Sequence, residues 1–99
     1  MRGKKEVQDF AQEMLEVLNM PHNIQKGHWA DWSWLQLKEK LIEKFHELTI
    51  EIEILEASAD FDYEPSSLID MMAVTVDLAN IAMMLRQNAA TILVKGAKV

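Results

Sequence analysis

The residues best able to support chemistry lie within an otherwise apolar stretch between Leu68 and Leu85. At about 100° per residue, Asp70 and Asp77 lie about 20° apart around a helix, and Asn80 lies about 60° further round. A helix that is apolar on its other sides is typical of a buried helix. A buried carboxylate is costly unless it is paired, hydrogen-bonded or bound to a cation. The stripe therefore predicts a partner of opposite charge.

A glutamate-rich segment supplies carboxylates that could face this stripe. If the two segments form antiparallel neighbouring helices, Glu47 and Glu51 meet Asp70 and Asp77. Carboxylates between facing helices suit Mg²⁺ or Mn²⁺, which take further ligands from water and phosphate. Such a site favours attack of water on a phosphoanhydride. Two other interpretations stay open, namely glutamates on a solvated helix face and a structural Asp77 bonded to Asn or Lys.

Helical periodicity places these residues on long elements. We expect three helices, at about residues 5–19, 33–57 and 66–88. Ser33 and Gln36 match a capping box at the start of the second helix, and Ser66 or Ser67 is expected to cap the third. The link over 20–31 is expected to be irregular. An extension of the third helix would end near Gly96.

The second helix carries more apolar surface than one small domain needs. Its expected core stripe is Trp34, Leu37, Leu41, Phe45, Leu48, Ile52 and Leu55. Ile42, Ile50 and Ile54 lie off that stripe and indicate a second packing partner. We therefore predict an all-α fold, a single domain over residues 1–99 that forms an antiparallel helical bundle completed by oligomerisation.

Composition limits the partners. The net charge of −6 disfavours nucleic acid and leaves room for a cation. The polar residues within 68–85 argue against a membrane span. The absence of cysteine fits a reducing compartment, and we expect a cytoplasmic protein.

Two stretches carry a family resemblance, KGHWADWSWLQLKEKLIEKFHEL and VDLANIAMMLRQN. They resemble the MazG-like all-α nucleoside triphosphate pyrophosphohydrolases over about residues 25–89, and DLANIAMM, from Asp77 to Met84, is the specific part. The resemblance implies cleavage of a nucleoside triphosphate to the monophosphate and pyrophosphate. It also implies Mg²⁺ held by ExxE on one helix and ExxD on the next, and assembly as homodimers or pairs of dimers.

The match at the metal ligands is partial. The second Glu of ExxE falls on Glu47, the Asp of ExxD on Asp77, and the Asn that follows on Asn80. Lys44 and Val74 occupy the other two ligand positions. Half of the family's carboxylates are therefore missing.

Two hypotheses follow from these departures. In the first, the site is rebuilt: Glu47, Glu51, Asp70 and Asp77 hold one Mg²⁺, and Lys44 neutralises a phosphate oxygen of the substrate. In the second, Lys44 pairs with Asp77, an ion pair takes the place of the metal, and the protein is a non-catalytic oligomer with a structural or regulatory role.

The resemblance also places a tryptophan at Trp29, on which a nucleobase could stack. The alternative is that the tryptophans cover the end of the bundle. The residues expected to act in catalysis are Glu47, Asp77 and Lys44, those expected to bind substrate are Trp29, Asn80 and Lys44, and the expected metal ligands are Glu47, Glu51, Asp70 and Asp77.

Overall fold

The fold is all-α, as predicted. The structure is a computed structural model that describes residues 2–58 and 63–97, and this part of the chain contains no strand. The helices are α1 (Lys4–Leu18), α2 (Pro21–Ile24), α3 (Trp34–Ala57) and α4 (Pro65–Ala97), with a 3₁₀ turn at Trp29–Asp31 between α2 and α3. Residues 59–62 of the segment between α3 and α4 lie outside the described residues.

The start of α3 follows the sequence prediction closely. The Gln36 backbone N–H donates to Ser33 Oγ at 3.1 Å, and the Ser33 N–H donates to Gln36 Oε1 at 2.7 Å. This reciprocal pair satisfies two amide groups that a helix N-terminus leaves free. The capping box is therefore confirmed.

Two expectations about the links are wrong. The segment 20–31 is not irregular throughout, because Pro21 opens the one-turn helix α2 and a 3₁₀ turn follows. Proline suits a first helical position, where its missing N–H costs nothing. For the same reason α4 begins at Pro65, so that Ser66 and Ser67 lie inside its first turn and not at its cap.

The last predicted helix is longer than expected. We expected it to end near residue 88, but α4 continues to Ala97, and Gly96 lies within it and does not terminate it. The residues beyond 88 include alanine and leucine, which favour helix, and no proline. By length and composition alone, Pro65–Gly96 is apolar enough to cross a membrane, and 22% of its most apolar window is buried.

The helix α4 is the centre of the fold. It packs along α3 and also contacts α1 and the 3₁₀ turn. Its middle supplies most of the buried residues of the described chain, which are Val76, Asn80, Ile81 and Met84, together with Leu37 of α3. The core is small because one helix is contacted from two sides by elements that do not enclose it.

The expected core stripe of α3 is partly wrong. Leu37 is fully buried, and three further leucines of the stripe are half-buried. Trp34, Phe45 and Ile52, however, are 51%, 63% and 43% exposed. The face of α3 that reaches α4 is narrower than the stripe, and these three side chains lie roughly 60–80° away from Leu37 around the helix.

Candidate functional site: an ion-pair cluster beside a cleft

The two carboxylates that were predicted to converge, Glu47 and Asp77, both lie beside the ammonium group of Lys44. Lys44 Nζ lies 3.3 Å from Glu47 Oε2, one turn along α3, and 3.3 Å from Asp77 Oδ2 on α4. The side chain of Lys44 is 24% exposed, and those of Glu47 and Asp77 are 40% and 35% exposed. The structure therefore brings Glu47 and Asp77 together across the α3–α4 seam with a lysine as their shared counter-charge.

The surroundings of Lys44 stabilise its charged form. Partial burial by itself lowers the pKa of Lys44, because it removes water from the ammonium. The hydrogen bond to Glu47 and the negative charges of Asp77 and Glu47 outweigh that effect, so that the pKa of Lys44 is raised above 10.5. At neutral pH the lysine is thus a permanent cation in the seam.

The other proposed metal ligands do not join this cluster. Glu51 is half-buried one turn beyond Glu47, and Asp70 is exposed on α4. Within residues 2–58 and 63–97, no three His, Cys, Asp or Glu side chains are placed to hold one metal ion. Val74, at the other altered position, is half-buried and offers no donor atom.

This donor set does not fit a divalent cation in the arrangement described. The two carboxylates that converge already share the ammonium of Lys44, and a positive charge there repels a second cation. Carboxylate-bound Mg²⁺ demands near-octahedral geometry at short distances. It would have to displace Lys44 before Glu47 and Asp77 could coordinate it.

A cleft of about 950 Å³ opens beside the ion pairs. Its walls come from α1, the segment between α1 and α3, the first half of α3, and α4. Its apolar lining includes Val17, Ile24, Met72, Val76 and Met84. A volume of this size lies at the upper end of the range for small-molecule pockets.

Asn80 reaches this cleft from the buried middle of α4 and is 3% exposed. Its Nδ2 donates a hydrogen bond to the Met14 carbonyl of α1 at 3.2 Å, which ties the two helices together. Its Oδ1 is buried and has no hydrogen-bond partner among the described residues. Buried polar atoms nearly always have a hydrogen-bond partner, so a donor group placed next to this oxygen would form a favourable hydrogen bond.

Trp29 lines the cleft from the 3₁₀ turn. Its indole stacks on the His28 ring, with ring centroids 4.2 Å apart, and its carbonyl accepts a hydrogen bond from Asn88 Nδ2 of α4 at 3.1 Å. Its Nε1 is buried and lacks a hydrogen-bond partner in the part of the chain that the structure describes. Two residues of the cleft lining thus each carry a buried polar atom without a partner among the described residues, the acceptor Asn80 Oδ1 and the donor Trp29 Nε1.

The segment that carries Trp29 turns at Gly27. Its φ of 83° is a left-handed conformation that glycine adopts without the steric cost that a side chain brings. The turn, with the Asn88 hydrogen bond, places Trp29 over α4 and Trp32 in the same cleft wall, whereas Trp34 points away and is exposed.

Sequence reasoning missed several residues of the site. Lys40 and Glu43 line the cleft, and Asn88 anchors Trp29, but none was predicted there. Lys40 and Glu43 lie seven and four residues before Glu47, which gave a weak signal, because residues at these spacings share a helix face. The sequence gave no signal for the Met14 carbonyl as an acceptor, since every residue carries a carbonyl group.

Comparisons of the chain with protein-family models, with curated proteins and with solved structures give no match. The fold and the site by themselves define a small all-α protein in which an internal ion-pair cluster adjoins a ligand-sized cleft.

Proposed function

We propose that the protein is a MazG-like helical protein in which the ammonium of Lys44 takes the place of the divalent cation, so that it has a structural or regulatory role and does not hydrolyse nucleotides. One observation carries the proposal: Lys44 Nζ lies 3.3 Å from both Glu47 and Asp77, the two residues that match the family's metal ligands. The partial motif match over about residues 25–89 supports the family assignment.

The chemistry of an ammonium explains the expected loss of catalysis. A metal ion activates water and polarises phosphoryl oxygens through open coordination positions. The lysine has one positive charge, three N–H donors and no coordination position. Hydrogen-bonded to Glu47 and ion-paired with Asp77, Lys44 neutralises the seam but cannot generate a nucleophile.

The cleft supports a binding role for the same protein. Asn80 and Trp29 line it, each with one buried polar atom that has no partner among the described residues, and the indole offers a flat surface for a base. We propose that a nucleotide binds here weakly in a cytoplasmic setting, with Trp29 and Asn80 contacting it and Lys44 held at the adjoining ion pairs.

Assembly completes the proposal. The large apolar side chains left exposed on α3 and α4 support an antiparallel bundle that further copies of the chain complete, as a homodimer or a pair of dimers. Membrane and nucleic acid are not partners in this proposal.

A Mg²⁺-dependent nucleoside triphosphate pyrophosphohydrolase is the second candidate. It is favoured by the convergence of Glu47 and Asp77 from neighbouring helices, which is the minimum that such a site requires. It further requires that Lys44 leave both carboxylates and turn to the substrate.

Restoring the two missing carboxylates tests the proposal. The double variant Lys44→Glu with Val74→Glu removes the ammonium and completes both acidic motifs, so we expect Mn²⁺ binding that the parent chain lacks. Calorimetry with Mn²⁺ measures the binding, and pyrophosphate release from a panel of nucleoside triphosphates measures catalysis. The control is Lys95→Glu with Val7→Glu, which makes the same total charge change at an exposed lysine of α4 and an exposed valine of α1.

The outcomes separate the two candidates. Mn²⁺ binding by the double variant alone supports the ammonium-for-metal proposal. Tight Mn²⁺ binding or Mg²⁺-dependent pyrophosphate release by the parent chain overturns it in favour of the hydrolase. Binding by the Lys95→Glu, Val7→Glu control would show that added negative charge suffices and would remove the site from consideration.

A further inference from the structure

The single chain exposes far more surface than a compact protein of its mass. Its accessible surface is 7814 Å², for 11.4 kDa, whereas a compact monomer of that mass exposes about 5,800 Å². Its radius of gyration is 16.4 Å, against about 12.6 Å for a compact chain of this length. The excess of about 2,000 Å² exceeds the roughly 800 Å² that each partner buries in a standard interface.

One continuous part of that surface runs along α3. Four large apolar side chains are exposed at spacings of seven, three and seven residues: Leu35 (57%), Ile42 (59%), Phe45 (63%) and Ile52 (43%). At about 100° per residue, this outer stripe of α3 lies about 110° around the helix from Leu37, which packs against α4. Alternating steps of three and four residues are the pattern of a seam between two helices.

We propose that the outer stripe of α3 is the contact between two copies of this chain, with the two α3 helices crossing antiparallel about a two-fold axis near residues 43 and 44. In this register Ile42 of each copy meets Phe45 of the other, and Leu35 meets Ile52. A two-fold interface must be self-complementary. Both of these pairs join large apolar residues, so the stripe meets that requirement. This interface shows how the oligomer of the proposed function would form, and it does not depend on the role of Lys44.

The charge along α3 favours the antiparallel direction. Residues 34–44 contain three lysines and two glutamates, whereas residues 47–57 contain four glutamates and no lysine. An antiparallel crossing places the weakly basic half of each helix beside the acidic half of the other and also opposes the helix dipoles. A parallel crossing would bring the two acidic halves together.

The cleft wall on α4 is the competing surface, because Ile69 and Met72 are 64% and 56% exposed there. Those side chains line a cavity that also contains ion pairs and unpartnered polar atoms. The outer stripe of α3 contains only two polar residues, Lys38 and Thr49, between its four large apolar side chains, which makes it the better match for a helix of a second copy.

Three variants of one kind test the interface. Phe45→Glu places a charge in the centre of the stripe, Val7→Glu makes the same change at a 68% exposed residue of α1, and Ile69→Glu makes it in the cleft wall. Light scattering on the parent chain is expected to give about twice 11.4 kDa. We expect Phe45→Glu to weaken the dimer roughly 30-fold or more, with Val7→Glu and Ile69→Glu remaining dimeric.

A second measurement covers the case in which Phe45→Glu does not fold. For a dimer the unfolding midpoint of the parent chain rises with protein concentration, whereas for a monomer it does not. A monomeric parent with a concentration-independent midpoint overturns the proposal. So does loss of the dimer in Ile69→Glu with retention in Phe45→Glu, which would assign the contact to the cleft. Neither result alters Mn²⁺ binding by the Lys44→Glu, Val74→Glu variant, so the two proposals fail separately.

Discussion

The two polar regions of the molecule differ in whether their polar groups have partners. At the α3–α4 seam, the ammonium of Lys44 meets a carboxylate on each side. In the cleft, Asn80 Oδ1 and Trp29 Nε1 are buried without a partner among the described residues. The seam is more exposed and yet satisfied, whereas the cleft is more buried and incomplete.

The difference indicates which region is structural and which is open to a ligand. An ion pair at a partly exposed site contributes little stability but removes the repulsion between two nearby carboxylates. An unpaired buried acceptor costs about 1–3 kcal/mol, and a ligand that supplies a donor recovers part of that cost. The charged groups of the seam are therefore already paired, whereas a ligand bound at the cleft would lower the free-energy cost of the unpaired atoms.

The largest expected effect comes from placing a charge in the cleft. Asn80→Asp keeps the shape of the side chain but replaces the donor to the Met14 carbonyl with an oxygen and buries a carboxylate near Asp77. We expect a loss of about 3 kcal/mol in the free energy of unfolding at neutral pH, measured by urea denaturation.

The matched control is Asn88→Asp, which makes the same change at the half-buried amide that donates to the Trp29 carbonyl. It is expected to cost less, because Asn88 is more exposed to water than Asn80. Equal stability of Asn80→Asp and the parent chain would contradict the view that the buried Asn80 side chain cannot accommodate an uncompensated charge.

A smaller effect is expected at the seam. Lys44→Met keeps an unbranched side chain but leaves Glu47 and Asp77 facing each other without a cation. We expect a loss of about 1 kcal/mol, because both carboxylates are more than one third exposed and water screens them. Lys95→Met, at an exposed lysine of α4, is the control by the same denaturation assay. A loss as large as that of Asn80→Asp would erase the contrast between the two regions.

The smallest effect is the dependence of stability on alkaline pH. Because the pKa of Lys44 is raised in the folded state, its contribution is fully present below the ordinary value of 10.5 and is lost as pH rises through the folded pKa. We expect the difference in urea midpoint between the parent chain and Lys44→Met to be constant at neutral pH and to shrink above pH 10.5. A difference that persists at higher pH would attribute the effect to packing of the lysine stem.

The polar stripe on the last helix was the most informative part of the sequence. It predicted that Asp77 needs a counter-charge, and the pairing with Lys44 was one of the two alternatives left open. Helix periodicity and the Ser33–Gln36 capping box were also readable, since both depend on neighbours in the chain.

Long-range backbone contacts could not be read in the same way. The acceptors for Asn80 and Asn88 are carbonyls of Met14 and Trp29, 66 and 59 residues away in the chain. The core stripe of α3 was misassigned at Phe45 because apolar spacing shows that a face is to be covered and not which element covers it. The expected end of α4 near residue 88 was too early, although an extension to about Gly96 had been left open, because the helix formers beyond residue 88 continue the helix to Ala97.

The way in which α1 is attached has a consequence for how the cleft opens. Among the described residues, α1 contacts α4 and α2 but not α3. The hydrogen bond between Asn80 and the Met14 carbonyl links α1 to α4. Detachment of α1 therefore leaves the α3–α4 pair intact and costs only local unfolding. Detachment of α1 would remove one wall of the cleft and uncover the buried Asn80 side chain, and amide hydrogen exchange should report this local opening first in α1.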